Sequence, residues 1–207
     1  MSKHIIINVG RQLGSGGRII GDRLAKDFGI KFYDKELLDL AAKESGFDKR
    51  FFERNDEHKG FLKILFSPFA PIFGNSSNPY ANQLSDESLF KFQSDAIRKA
   101  AEQHSCVFVG RCADYILRDF PNKVDIFITA DMPDRVKRVS ELLHINEKEA
   151  EKKCVEGDEN RAKYYNYYSA KTWGRAESYD LCINSSVLGL DATTEFIEDF
   201  ITKKLGL

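Results

Sequence analysis

A glycine-rich turn between an apolar run and a helical pattern is the feature that most constrains this chain. Residues 5–9 read Ile-Ile-Ile-Asn-Val, which is typical of a buried strand. Residues 19–28 then carry apolar side chains at spacings of three to four, which predicts an amphipathic helix. Between them, Gly14, Gly16 and Gly17 allow positive φ angles and a close approach of the backbone to a ligand. A strand, a glycine-rich turn and a helix N-terminus together predict a loop that binds phosphate groups.

The loop departs from the usual phosphate-binding pattern G-x-x-x-x-G-K-[ST]. With Gly16 as the second glycine, Arg11 stands at the first glycine's position. Gly17 then replaces the lysine and Arg18 replaces the hydroxyl residue. Our hypothesis is that Arg18 takes over from the lysine, with Arg11 as the other candidate, because a guanidinium binds phosphate oxygens bidentately. The segment alone also leaves open a turn that merely needs glycine and a solvated Arg18. The candidate phosphate-binding residues are Arg11, Gly14, Ser15, Gly16, Gly17 and Arg18.

Charge and cysteine usage exclude several classes of protein. The chain has 31 basic and 32 acidic residues and a net charge of −1, so it carries no electrostatic footprint for nonspecific nucleic-acid binding. Its four cysteines form no C-x-x-C pair, and with its four histidines they show no metal-ligand spacing, so we predict no metal site in the protein itself. No apolar run approaches the roughly 20 residues that span a bilayer, and no signal-like segment starts the chain. We therefore expect a soluble, cytoplasmic protein without membrane or nucleic-acid partners.

Short apolar runs alternate with helical patterns, which predicts a parallel sheet covered by helices. The further strands are predicted at 31–33, 106–109, 124–129 and 181–183. The helices after the first are predicted from Asp34 to Ala42, over residues 86–103, from Asp131 and Pro133 onward, and from Asp191 onward. With 207 residues, the chain is long enough for one α/β domain that also carries an insert.

Two segments interrupt the alternation. Residues 45–85 are rich in phenylalanine and then polar, which predicts a small packed helical excursion followed by a loop. The same aromatic content is compatible with a contact in a homodimer. Residues 146–175 are charged and then tyrosine-rich, with Asn146 and Glu149 spaced as a capping box, and we interpret them as a lid. The lid tyrosines either stack on a base or pack the lid against the rest of the protein. Their spacing favours packing, because it points them in several directions around a helix.

The middle of the chain carries motifs that resemble those of a known family. Residues 107–114 read Val-Phe-Val-Gly-Arg-Cys-Ala-Asp, and residues 123–138 then run through Phe-Ile-Thr-Ala to spaced arginines. Cytidylate kinases have a strand ending in Gly-Arg-Asp, then Lys-x-x-x-Phe-Leu-Thr-Ala, then a helix with spaced arginines. Asp158-Glu-Asn-Arg161 is similar to the Asp-x-x-Arg of their lid, and residues 179–186 are similar to their last strand. The whole chain is closest to the cytidylate kinase-like family, a divergent branch.

The resemblance implies a P-loop NTPase-type, three-layer α/β/α fold with a five-stranded parallel sheet. Residues 1–207 would then form a single kinase-like domain, in which 45–85 are a helical acceptor-side insert and 146–175 are the lid. Backbone N–H groups of Gly14 to Arg18 would hold the phosphates of ATP. Mg²⁺ is expected with ATP from the chemistry of phosphoryl transfer, although the sequence identifies no ligand for it.

The resemblance also implies roles for single residues. Arg111 matches the arginine of the Gly-Arg-Asp motif, which helps to hold the acceptor, while Asp114 is the candidate substitute for the motif's aspartate, because Cys112 stands in its place. Asp158 and Arg161 match lid residues that contact the acceptor's sugar and phosphate. Cys154 stands where a second lid arginine is expected and is a departure from the family pattern. Arg135 and Arg138 match the spaced arginines, of which Arg138 is also compatible with structural ion pairs.

Asp34 is a candidate on the acceptor side, where it would orient a hydroxyl group or a metal-bound water, although a helix cap explains it equally well. The predicted catalytic residues are Arg18, Arg135 and Arg161. The predicted function is transfer of the γ-phosphate of ATP to a nucleoside monophosphate, with CMP or dCMP favoured by the resemblance. The alternatives are a noncatalytic nucleotide-binding protein with a degenerate loop and a kinase whose small-molecule acceptor is not a nucleotide.

Overall fold

All five predicted strands form, and they pair in parallel in one sheet. The structure, a computed structural model, describes residues 4–34 and 86–207. The strands are β1 (Ile6–Arg11), β2 (Lys31–Tyr33), β3 (Cys106–Val109), β4 (Lys123–Thr129) and β5 (Leu181–Asn184). The described helices are α1 (Gly17–Asp27), α2 (Asp86–Gln103), α3 (Ala113–Ile116), α4 (Met132–Leu143), α5 (Glu147–Ser169) and α6 (Ser185–Leu205).

The strand order, β2-β3-β1-β4-β5, places β1 at the centre of the sheet. Ile7 of β1 is in register with Val107 on one side and Val124 on the other. The chain leaves β1 toward one edge of the sheet and leaves β3 toward the other edge, so a crevice opens between the carboxyl ends of these two strands. Ligands of open parallel sheets bind in such crevices. Arg11 ends β1 and Gly110 follows β3, so both lie at this point.

Helices cover both faces of the sheet because its central strands are apolar on both sides. On one face, Ile7 and Val9 of β1 pack against Leu24 of α1 and Ile197 of α6. On the other face, Ile6 packs against Ile97 of α2, Phe108 of β3 and Tyr165 of α5. A third, smaller cluster joins the phosphate loop to α4 and α5, and its buried members are Leu13, Val136, Val139, Ala150 and Cys154. The predicted three-layer α/β/α architecture is confirmed.

Two details of the helices differ from the sequence-based expectation. Ile19 was expected on the buried face of α1, but it is 46% exposed, because Ile20 and Leu24 fill that face completely. The last helix, predicted from Asp191, follows the non-helical Gly189, but an additional helical turn precedes it from Ser185, and the side chain of Asn184 caps that turn by accepting from the Ser186 N–H.

A kink follows within this last helix, where Gly189 has a φ of 76°. Asp191 lies beyond the kink and forms an ion pair with Arg23 of α1. The predicted helix from Asp34 to Ala42 and the predicted insert at 45–85 extend over residues 35–85, which lie outside the described residues.

The segment interpreted as a lid is a 23-residue helix, α5, followed by a turn. Asn146 caps it by accepting from the Glu149 N–H at 2.9 Å, as the capping-box spacing predicted. Tyr165 is buried, and Tyr168 stacks on Phe90 of α2 with ring centroids 3.9 Å apart. These tyrosines therefore pack α5 against the rest of the domain. None of the described helices is both long and apolar enough to cross a membrane.

Candidate nucleotide-binding site

The turn between β1 and α1 needs glycine at two positions for two reasons. Gly14 and Gly16 have φ angles of 77° and 78°, which other residues adopt only with strain. A Cβ atom at Gly14 would lie 2.6 Å from the backbone oxygen of Arg135, and one at Gly16 would lie 2.3 Å from a methyl carbon of Leu190. The prediction of positive φ is confirmed for Gly14 and Gly16 but not for Gly17, and close packing against α4 and α6 adds a constraint that the sequence did not reveal.

Ser15 holds the turn together from inside. Its hydroxyl donates to the Gln12 carbonyl at 2.9 Å and accepts from the Gly17 N–H at 3.4 Å. Its carbonyl accepts from the hydroxyl of Ser185 at 2.7 Å. Because Ser15 is fully buried and its polar groups are engaged, its hydroxyl shapes the loop in this conformation.

The N-terminus of α1 points its first N–H groups out of the turn. The first intrahelical bond runs from the Ile20 N–H to the Gly16 carbonyl at 3.0 Å. The N–H groups of Arg18 and Ile19 precede that bond and have no helical acceptor, as at every helix start. The aligned peptide dipoles add a partial positive charge at this end of an 11-residue helix. This end of the helix can therefore bind an anion.

Two helices hold the first half of the loop, Leu13 and Gly14. The Leu13 N–H donates to Asp158 Oδ1 of α5 at 2.8 Å, and the Leu13 carbonyl accepts from Arg135 Nε of α4 at 2.7 Å. Arg135 Nη2 also donates to Asp158 Oδ2 at 2.5 Å, and Arg138 donates to the Gly14 carbonyl at 2.9 Å. We call Arg135, Arg138 and Asp158 the clamp. It binds two carbonyls and one N–H group of the loop.

A second group of arginines lies near the other half of the loop. We call Arg11, Arg18, Arg111 and Arg161 the arginine cluster. Asp34, just after β2, bridges two of its members, since Arg18 Nε lies 2.7 Å from one carboxylate oxygen and Arg11 Nη2 lies 3.9 Å from the other. Arg111 follows Gly110 at the end of β3 and has a φ of 58°. The carboxyl ends of β1 and β3 supply Arg11 and Arg111, while α1 supplies Arg18 and α5 supplies Arg161.

Burial and like charges make this cluster electrostatically strained. Burial and the neighbouring charges of Arg11 and Arg135 lower the pKa of Arg161 to about 9, although Asp158 and Asp34 oppose the shift. Burial lowers the pKa of Arg11 as well, with Asp34 opposing and Arg111 and Arg18 contributing. Arg161 Nη1 is buried, lies 3.6 Å from Asp158 Oδ1, and has no hydrogen-bond acceptor among the described residues. A bound polyanion would relieve both the repulsion and the missing hydrogen bond.

Some predicted site residues are not part of this group. Asp114 is 8% exposed and accepts from the Tyr165 hydroxyl at 2.6 Å, and burial raises the pKa of its carboxyl. The described contacts of Asp114 are therefore with the interior and not with the arginine cluster. Cys112 and Cys154, which replace an aspartate and an arginine of the resembled family, are both buried. Arg135 is 4% exposed and, as a member of the clamp, donates to the Leu13 carbonyl.

Sequence reasoning missed Leu13 and Gln12 as parts of the site. The side chain of Leu13 packs against Gly157 of α5, and its two backbone groups are held by the clamp. The side-chain oxygen of Gln12 accepts from the Ala130 N–H at 3.3 Å, which ties the loop to the end of β4. These contacts join residues that are more than 100 positions apart, so no local pattern could have indicated them.

The described residues do not form a dedicated Mg²⁺ site. They contain no group of three or more histidine, cysteine, aspartate or glutamate side chains placed to hold a metal ion. Arg18 stands at the position of the hydroxyl ligand, and Asp34 is engaged by Arg18.

Comparisons with known proteins agree with this geometry. A crystal structure of an uncharacterized protein from Eubacterium ventriosum ATCC 27560 is 32% identical, has a TM-score of 0.70, and is matched over 95% of this chain and 98% of that one. Shikimate kinase from Bacteroides thetaiotaomicron is similar in fold at 14% identity and a TM-score of 0.51, over 95% of this chain and 98% of that one.

Shikimate kinase from Acinetobacter baumannii, solved in complex with shikimate, has the same identity and TM-score over 98% of this chain and 95% of that one. These two similarities identify the P-loop kinase fold. A comparison with curated protein sequences finds no match. The profile of the cytidylate kinase-like family matches residues 6–187. The chain therefore belongs to the cytidylate kinase-like family.

Proposed function

We propose that this protein is an ATP-dependent phosphotransferase that transfers the γ-phosphoryl group of ATP to a nucleoside monophosphate. The observation that carries the proposal is the arginine cluster beside the N-terminus of α1. Phosphoryl transfer spreads negative charge over the equatorial oxygens and leaves the protein mainly with positioning and charge stabilisation. Preorganised cations in a site that excludes water are suited to that task.

The two halves of the loop have different tasks in this proposal. Backbone N–H groups from Gly14 to Arg18 and the N-terminus of α1 bind the phosphates of ATP. Arg111 and Arg161 stabilise the charge of the acceptor and of the transferred group, and Arg161 Nη1 gains the hydrogen-bond acceptor that it lacks among the described residues. Arg135 acts through the clamp, because its guanidinium holds Leu13 and Asp158.

ATP and Mg²⁺ are the implied partners of this site. Mg²⁺ is commonly held by substrate phosphates, waters and one or two carboxylates, so a kinase can use it without a complete protein cage. Asp34 is the nearest described carboxylate to the arginine cluster, and it would release Arg18 if it took part in holding the acceptor or a metal-bound water.

CMP and dCMP are the acceptors that family membership favours. The expected result is ADP release by the purified protein in Mg²⁺ and ATP that depends on the added nucleoside monophosphate. Each of the common monophosphates should be added in turn, with a reaction without acceptor as the control. Lys137→Gln, an exposed neighbour of the clamp on α4, is the matched control for Arg161→Gln. ADP release that requires CMP and is lost only in Arg161→Gln supports the proposal.

Two other readings account for specific departures from the family pattern. A noncatalytic nucleotide-binding protein would explain Gly17 and Arg18 at the lysine and hydroxyl positions. A kinase for a non-nucleotide acceptor would explain Cys154, which lies in the core where a second acceptor arginine is expected. ATP binding by calorimetry without ADP release for any acceptor favours the first. ADP release only with small phosphorylated or hydroxylated compounds that are not nucleotides favours the second.

A further inference from the structure

Gly17, at the position of the lysine in the usual pattern, is explained by its neighbour Arg11. Gly17 is the first residue of α1 and is not among the glycines with positive φ, so its backbone conformation does not require glycine. The limited space around it requires glycine instead, because a Cβ atom at Gly17 would lie 2.5 Å from Cβ and 3.1 Å from Cγ of Arg11. The Cβ and Cγ atoms of Arg11 therefore occupy the space that the first side-chain atom of any other residue at position 17 would need.

The guanidinium end of Arg11 is accommodated by a second glycine. A Cβ atom at Gly110 would lie 1.8 Å from Nη1 and 3.0 Å from Cζ of Arg11. The arginine thus runs from the end of β1 across the end of β3, over the crevice between the two strands. Glycines on two separate segments, Gly17 and Gly110, leave the volume that this one side chain occupies.

The positive charge of Arg11 is only weakly neutralised by neighbouring carboxylates. Its side chain is 20% exposed, and its ion pair with Asp34 is long, at 3.9 Å between Nη2 and Oδ1. Asp34 is bound more closely by Arg18, at 2.7 Å. Arg111 and Arg18 are near enough to repel the charge of Arg11. An anion in the crevice would therefore be attracted to Arg11 and would meet a preorganised guanidinium.

Arg18, the other candidate, has a different environment. Its side chain is 66% exposed, its Nε donates to Asp34, and its guanidinium carbon lies 6.0 Å from the ring centroid of Phe32. It is thus held on the β2 side and partly in solvent, where a charge is screened. The buried position between the loop and the end of β3 belongs to Arg11.

We propose that Arg11 and Gly17 have exchanged the two roles of the usual pattern: Arg11 supplies, from the first glycine's position, the cation that binds the β- and γ-phosphates of a nucleoside triphosphate, and Gly17 makes room for it. This inference rests on the proposed function only for the identity of the ligand. It replaces the hypothesis that Arg18 substitutes for the lysine.

The test is ATP binding measured by calorimetry in Mg²⁺, which needs no acceptor. Arg11→Gln is expected to raise the Kd about 10- to 100-fold, as the loss of a hydrogen bond to a charged group does, whereas Arg11→Lys keeps most of the affinity. Gly17→Lys alone should lose affinity or stability, because the new side chain collides with Arg11. The double variant Arg11→Gly with Gly17→Lys restores the first glycine and the lysine of the usual pattern and is expected to recover binding relative to either single variant.

Arg118→Gln is the matched control, since Arg118 is an exposed arginine that contacts Tyr115 and Asp119. Thermal unfolding of each variant separates loss of fold from loss of binding. If the double variant does not fold, the comparison of Arg11→Lys with Arg11→Gln decides the question. A Kd for Arg11→Gln within about threefold of the unmodified protein overturns the inference, because that change is below 1 kcal/mol.

The outcomes also separate this inference from the proposed function. Affinity lost in Arg11→Gln and recovered in the double variant, with no acceptor phosphorylated, supports the inference and contradicts the proposed function. Acceptor phosphorylation by the unmodified protein, together with unchanged ATP affinity in Arg11→Gln, supports the proposed function and contradicts the inference about Arg11. Absence of ATP binding in the unmodified protein contradicts both.

Discussion

The two halves of the phosphate loop are held in opposite ways. At Leu13 and Gly14, two carbonyls and one N–H are bound by the clamp, with every distance at or below 2.9 Å. At the other half, Arg18 pairs with Asp34 at 2.7 Å, but Arg11 lies 3.9 Å from the same carboxylate, and Arg161 Nη1 has no hydrogen-bond acceptor among the described residues.

This difference teaches that arginines of one site can have opposite energetic roles. The clamp arginines satisfy backbone acceptors and stabilise the fold. Arg11 and Arg161 of the cluster are partly buried and are held near one another at a cost that a ligand can recover. Functional sites commonly keep such destabilising features because binding needs them. The contrast predicts that changes in the clamp affect stability first, and that changes in the cluster affect ligand binding first.

The largest effect is expected from Arg135→Met. Loss of the Arg135 guanidinium leaves Asp158 and the Leu13 carbonyl without their main partner in a buried setting. Breaking a buried ion pair typically costs about 3–5 kcal/mol in the free energy of unfolding. Urea unfolding should show this loss, and Lys137→Met on the exposed side of α4 should not. An unchanged urea midpoint for Arg135→Met would show that the clamp does not stabilise the domain.

Arg161→Gln should behave in the opposite way. It removes a buried cation that has Arg11 and Arg135 as repulsive neighbours, so the free energy of unfolding should stay constant or rise. Turnover in the ADP-release assay should fall about 10²- to 10³-fold, as when one preorganised charge donor is lost. The contrast between clamp and cluster fails if Arg161→Gln lowers stability as much as Arg135→Met while leaving turnover intact.

Gly14→Ala tests how closely the clamp fits the loop. The new Cβ combines a φ of 77° with a distance of 2.6 Å to the backbone oxygen of Arg135, so we expect a loss of about 1–3 kcal/mol in the free energy of unfolding. Gly29→Ala is the matched control, since Gly29 also has a positive φ but nothing lies within 4 Å of its Cβ position. The difference between the two variants in urea unfolding measures the steric part, and equal losses would exclude it.

The smallest effect is expected from Arg18→Gln. Its ion pair with Asp34 is largely exposed, and exposed pairs contribute less than about 1 kcal/mol to stability. The Kd for ATP should rise less than in Arg11→Gln when both are measured by calorimetry. A larger rise for Arg18→Gln would return the role of the missing lysine to Arg18.

Much of the fold could be predicted because its signals are local. The apolar runs at residues 31–33 and 106–109 are strands with those same bounds, and the helix predicted over 86–103 is α2, Asp86–Gln103. Ile19 was misplaced because helical periodicity tells which residues share a face, and the packing of the neighbouring elements decides how wide the buried face is.

For the candidate site, the sequence could predict which residues take part but not what each of them does. The glycine pattern and the family resemblance indicated Arg11, Arg18, Arg111 and Arg161 as candidates, and the structure brings all four near the edge where β1 and β3 end. Their division into roles could not be predicted. Arg135 and Arg161 are both arginines near the loop, yet one binds a backbone carbonyl and the other has a nitrogen without an acceptor among the described residues.

The sequence by itself determined the order of strands and helices, the glycine turn and the set of charged residues, because these depend on periodicity and on the conformations each residue permits along the chain. The tertiary structure decided which charges are neutralised. Asp158 reaches Leu13 across 145 positions of sequence, and Arg11 lies over Gly110 of another strand end. Electrostatic interaction depends on distance and burial in space, and only the assembled sheet and helices set these quantities.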